Sequence, residues 1–89
     1  MQEIEKLRAE IDEIHGEMAE LMRRRLGVAR KIWEIKKAQN LSFFDSSREA
    51  SLIQKYDHLS PDPDEKKAIQ NLFKCILHES KTYLETKFK

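Results

Sequence analysis

Arg8, Arg25, Lys36, Asp45, Arg48, Glu49 and Ser80 are the residues of this chain whose types and spacing could do chemistry. Arg25 falls where a helical repeat calls for an apolar side chain. An arginine stays charged when buried, so it needs an anion or a route to water. Ser80 likewise interrupts an apolar face, and Asp45, Arg48 and Glu49 crowd into the stretch FFDSSREA over residues 43 to 50. Cations converging on a helical interior without an equal set of buried acids suit a small polyanion. No serine–histidine pair, reactive thiol, glycine-rich phosphate loop or metal cluster accompanies them. The chemistry implied is orientation and preorganised charge, with no cofactor and no metal.

Each group also has a local reading. Arg25 could set the register of a helical dimer through an ion pair. Arg8 and Lys36 flank apolar seam residues, where interhelical salt bridges are usual. Ser46 and Glu49 form an S-x-x-E capping box, which competes with Asp45 as the helix cap one residue earlier. A single helical serine such as Ser80 often bonds back to its own backbone. Arg23 and Arg24 read as a solvated charge run. His15, His58 and His78 have no carboxylate or cysteine partners at a metal spacing and read as surface or packing residues.

The elements that must position these groups are helices. Only two glycines and two prolines interrupt 89 residues, and β-branched residues are scarce. Ile4, Leu7, Ile11, Ile14, Met18 and Leu21 alternate steps of three and four, a heptad seam that continues through Arg25 to Val28, Ile32 and Ile35. The first helix is expected over about residues 3–38, roughly 50 Å or more at the α-helical rise. That length exceeds any globule so short a chain can build, so a second copy is the simplest cover for the seam. A long monomeric three-helix bundle is the alternative. A second, short helix is expected over about 46–59. In SPDPDE, Asp62 suits an N-cap, Pro63 the first helical position and Glu65 the third, opening a third helix of medium length over about 63–87. Its apolar face carries Ile69, Phe73, Ile76, Leu77 and Leu84, with Ser80 the polar exception. The fold class is therefore all-α: three helices in a single domain over residues 1–89, assembled as a helical homodimer.

Composition narrows the partners. Seventeen basic and 16 acidic side chains leave a net charge of +1, which argues against a general nucleic-acid binder. No apolar run approaches the roughly 20 residues that span a bilayer. The N-terminus lacks the apolar core of a secretory signal, and the lone Cys75 cannot form an internal disulfide. A cytoplasmic location is expected.

Arg8, Arg25, Lys36, then Asp45-x-x-Arg48-Glu49, then Ser80 in FKCILHES, resemble the all-helical chorismate mutase family from about Ile4 to about Leu84. The ladder is specific: 17 residues from Arg8 to Arg25, 11 more to Lys36 and 9 more to Asp45. The resemblance implies an intertwined homodimer that rearranges chorismate to prephenate by an intramolecular [3,3] shift, in the shikimate route to phenylalanine and tyrosine. It implies that Arg25 holds one substrate carboxylate and Arg8, from the other subunit, the second. Lys36 would donate to the ether oxygen of the breaking C–O bond. Arg48 would lie at the site wall, with Asp45 and Glu49 at the ring hydroxyl region and Ser80 at a carboxylate. Ile32 and Leu77 look like apolar walls favouring a compact diaxial substrate.

One position departs from the family. Four residues after the serine, where glutamine or glutamate usually supplies a second donor to the ether oxygen, this chain has Leu84. Glu85 is adjacent but turned about 100° around the helix, so it substitutes only if the helix shifts or unwinds. Two other readings follow: an isochorismate pyruvate-lyase of the same fold, or a noncatalytic helical dimerisation or regulatory module. Retention of Asp45 and Glu49 beside Arg48 resembles the mutases more closely.

Overall fold

Every element in the computed structural model, which describes residues 2–42 and 44–88, is helical. Helix α1 runs Gln2–Ala38, α2 runs Ser46–Lys55, a 3-10 turn covers Asp57–Leu59, and α3 runs Pro63–Lys87. The chain divides into two units, Met1–Lys31 and Ile32–Lys89, with α1 contributing to both.

The first unit is a single helical stretch and has no interior of its own. Ile4, Leu7, Ile11, Ile14, Met18 and Leu21 lie along it with between 42% and 59% of their surface exposed. Aliphatic side chains in a row at this exposure form a face without a cover inside the unit.

The second unit holds the end of α1, the two other helices and the turn between them. The α3 face read from periodicity points inward: Ile69, Phe73, Ile76 and Leu77 are half-buried, and Ser80 and Leu84 are buried. From α2, Leu52 and Ile53 are half-buried, and Tyr56 stacks on Phe73 with ring centroids 5.5 Å apart. Leu84 is the only fully buried large side chain among the described residues.

Local chemistry sets the boundaries. At the end of α1, Asn40 adopts a left-handed backbone, φ 61°. The Leu41 N–H donates to the Lys36 carbonyl at 2.8 Å and the Asn40 N–H to the Lys37 carbonyl at 3.2 Å. This is the double closure of a Schellman motif, and asparagine is among the few non-glycine residues that accept its geometry. Asn40→Ala is expected to cost about 1 kcal/mol in a urea melt, because a Cβ without a short polar head is strained there. An unchanged midpoint would mean that the turn relaxes into another form.

The second helix starts at Ser46 as expected and ends earlier than expected. It is capped by Asp45, whose Oδ1 accepts from the Arg48 N–H at 3.1 Å, so the Ser46–Glu49 box is not the cap. It stops at Lys55 rather than near residue 59, and the chain tightens into the 3-10 turn, where the Leu59 N–H donates to the Tyr56 carbonyl. Pro61 supplies the reason: the residue before a proline is driven out of the helical region, and Ser60 is extended at φ −137°, ψ 135°. Ser60 is buried and its Oγ accepts from the Asp62 N–H. Asp62 then caps α3 by accepting from the Asp64 N–H at 3.0 Å, with Pro63 opening the helix.

Candidate functional site

Lys36 lies in the last turn of α1, whose carbonyl is held by the Schellman closure, and its side chain is half-buried. One turn earlier, Ile32 is exposed and Trp33 is half-buried. The Trp33 ring stacks on Phe88, at the C-cap of α3, with centroids 5.9 Å apart. That contact ties the end of α1 to the end of α3.

The first turn of α2 carries Asp45, Arg48 and Glu49. The Asp45 carboxylate commits one oxygen to the cap, which fixes its direction. Arg48 is exposed and Glu49 half-buried. With Asp45 as cap, Glu49 sits beyond the position from which a capping-box glutamate reaches back, so local capping does not account for it.

From α3 come Leu77, half-buried, and the buried pair Ser80 and Leu84, one turn apart on the same face. The Ser80 hydroxyl donates to the Ile76 carbonyl at 2.7 Å. Leu84 has no exposed surface, whereas Glu85 is exposed. The helix continues to Lys87, so Glu85 keeps its place off the Ser80–Leu84 face.

In the first unit, Arg25 is half-buried and Arg8 exposed. Of the RRR run, Arg23 is exposed and paired with Glu20 at 2.6 Å; its hydrogen bond, then its charge, hold the Glu20 carboxyl below its usual value. A shallow depression on this unit is lined by Glu13, Gly16, Glu17, Glu20 and Leu21. Three carboxylates there would repel an anionic ligand, and none of the ladder residues lines it.

Lys36, the turn Asp45–Glu49 and the Ser80–Leu84 face belong to the second unit, and Arg8 and Arg25 to the first. Periodicity did not single out the ring cluster of Trp33, Phe44 and Phe88. Its members lie far apart in sequence, and the available signal was only that aromatic residues flank both ends of the helical pattern. Among the described residues no group of histidine, cysteine or carboxylate side chains could hold a metal ion, and no helix is long and apolar enough to cross a membrane.

Comparison with known proteins gives a family match: the profile described as Chorismate mutase type II covers residues 7–85. No curated protein and no solved structure matches the chain.

Proposed function

Since the chain belongs to the chorismate mutase type II family, whose reaction turns chorismate into prephenate, we propose that its charged ladder is the clamp that performs this rearrangement. The match carries the reading because it spans every ladder position from Arg8 to Leu84. The enzyme is an isomerase of the shikimate route. The reaction is intramolecular: the ether C–O bond breaks as a new C–C bond forms within one molecule, and no group leaves.

Such a step needs a folded substrate and a stabilised oxygen. In our reading Arg25 holds one carboxylate, and Arg8 of a second copy holds the other. Fixing both at a set separation selects the near-attack conformer from a flexible ground state. Lys36 donates to the ether oxygen, where negative charge grows, and so binds the transition state better than the substrate. Asp45 and Glu49 face the ring hydroxyl region beside Arg48, and Ile32 and Leu77 press the substrate into its compact form. Ser80 has one proton to give, so reaching a substrate carboxylate requires its hydroxyl to rotate off the Ile76 carbonyl.

Homodimerisation is part of this proposal. The seam residues of the first unit need a cover, and a second copy provides one together with Arg8. Subunit complementation tests the shared site. Arg8→Ala and Lys36→Ala chains, each inactive alone, are mixed, unfolded and refolded together. In a two-fold dimer, half of the pairs become hybrids with one intact site, so about a quarter of the wild-type rate returns. Activity that stays at the level of the separate variants would place Arg8 and Lys36 of the same copy in one site. Parallel incubation with isochorismate, followed for pyruvate, reads the lyase reaction directly.

Leu84 leaves the ether oxygen without the family's second donor. Leu84→Gln is expected to raise kcat about tenfold or more, while burial of the amide lowers stability by about 1–3 kcal/mol. A folded variant with kcat at or below wild type would show that position 84 does not face the breaking bond.

A further inference from the structure

Three aromatic rings from three separate segments meet in the second unit. Trp33 comes from α1, Phe44 from the loop before α2, and Phe88 from the C-cap of α3. Trp33 and Phe88 stack at 5.9 Å and 23°, and Phe44 meets Trp33 edge-on at 5.7 Å and 63°. These are the offset and T-shaped arrangements that ring quadrupoles favour. Two lysines lie over the rings: Lys37 Nζ is 5.9 Å from the Phe88 centroid, and Lys81 Nζ is 4.6 Å from that of Phe44.

Each ring is joined closely to a ligand-bearing segment. Trp33 is one turn before Lys36. Phe44 immediately precedes Asp45, the cap of α2. Phe88 closes α3 by donating its N–H to the Leu84 carbonyl at 3.0 Å. The Schellman closure holds the start of the loop and the Asp45 cap its end; between them Phe44 is the one half-buried residue among those described, whereas Gln39 to Ser42 and Asp45 are exposed. The Ser42 hydroxyl donates to the Phe44 carbonyl at 3.4 Å, a long bond that bends the loop locally without anchoring it.

We propose that the Trp33–Phe44–Phe88 cluster is a positioning latch, which pins the loop before α2 so that Arg48 and Glu49 are presented to the substrate. The role rests on the clamp described above, and the rings themselves touch no reacting atom. Lys37 and Lys81 hold the latch by facing its rings, outside the clamp. The C-terminal end of α3 thereby acts on a helix start more than 40 residues earlier in the sequence.

Phe44→Leu and Phe88→Leu test this, since both remove ring stacking but keep apolar bulk and spare the fold. Each is expected to raise KM for chorismate about tenfold with kcat within about threefold. Amide exchange of residues 46–49 should accelerate about tenfold in both. Phe88→Tyr, which keeps the ring, should return KM to within about twofold of wild type. Unchanged KM and unchanged exchange, with loss confined to the melting temperature, would overturn the latch and leave a packing role only. Should wild-type protein fail to turn over chorismate, the clamp reading falls, and exchange at residues 46–49 alone decides whether the rings order that turn. If a leucine variant does not fold, Lys81→Met removes the cation over Phe44 and is read in the same exchange and KM measurements.

Discussion

Lys36→Ala is expected to lower kcat by about 10²–10³ while the helical content stays unchanged. The size follows from the donor's role: removing one preorganised donor to a developing oxyanion typically costs about 2.7–4 kcal/mol. Two features of this chain place it toward the upper end. Leu84 has no hydrogen-bonding group where the family's second donor would stand, and it is fully buried. Glu85 is exposed on a different face. The fold should tolerate the change because the Schellman closure uses the Lys36 carbonyl, not its side chain, and alanine is the best helix former. Steady-state kinetics, with circular dichroism as the control, decide it. A kcat within about threefold of wild type accompanied by a raised KM would reassign Lys36 to uniform substrate binding.

Ile11→Asp is expected to disperse the assembly and abolish activity together. Ile11 is 51% exposed in the single chain, so covering it transfers about half of an isoleucine from water, about 1 kcal/mol. In a two-fold pair the loss is counted twice. Two carboxylates are also forced into an apolar seam, each at a further cost of several kcal/mol unless it stays protonated. A weakening of Kd by at least about a thousandfold, equivalent to roughly 4 kcal/mol, is the minimum consistent with these terms. Sedimentation equilibrium reads the dissociation, and the helicity of the first unit should fall with it. An isolated stretch of helix with no packed face is marginal in water. Glu10→Asp, a neighbouring change off the seam, controls for altered charge spacing. An Ile11→Asp chain that sediments as wild type, or a dissociated one that keeps full activity, would remove both the seam and the shared site.

The legible parts of the fold were those written in local interactions. Asp62, Pro63 and Glu65 marked the start of α3 because cap bonds and the fixed φ of proline involve neighbours only. The apolar face from Ile69 to Leu84 was legible because period 3.6 is a property of the helix itself. The same reasoning left Asp45 and Ser46 as competing caps. Both have a suitable oxygen, the choice depends on the direction in which the loop enters, and the Asp45 carboxylate is the one that accepts. The premature end of α2 was present in the sequence as Ser60-Pro61, since the residue before a proline is driven out of the helical region.

The candidate site divides in the same way. The charged ladder and its spacing, the departure at Leu84 and the family could be named from sequence, since they depend on residue identity along one chain. What α3 does at that departure could not. Whether Glu85 moved into the gap required knowing that the helix runs unshifted to Lys87 and that Leu84 is sealed from solvent. The ring cluster was equally invisible, because stacking depends on three distant segments arriving at one place. Sequence alone determined that there are three helices, the Asp62–Pro63 start of α3 and the identity of the ladder, the first two through interactions between near neighbours. Only tertiary packing decided the burial of Leu84 and the meeting of Trp33, Phe44 and Phe88. Those depend on contacts whose partners no local pattern encodes.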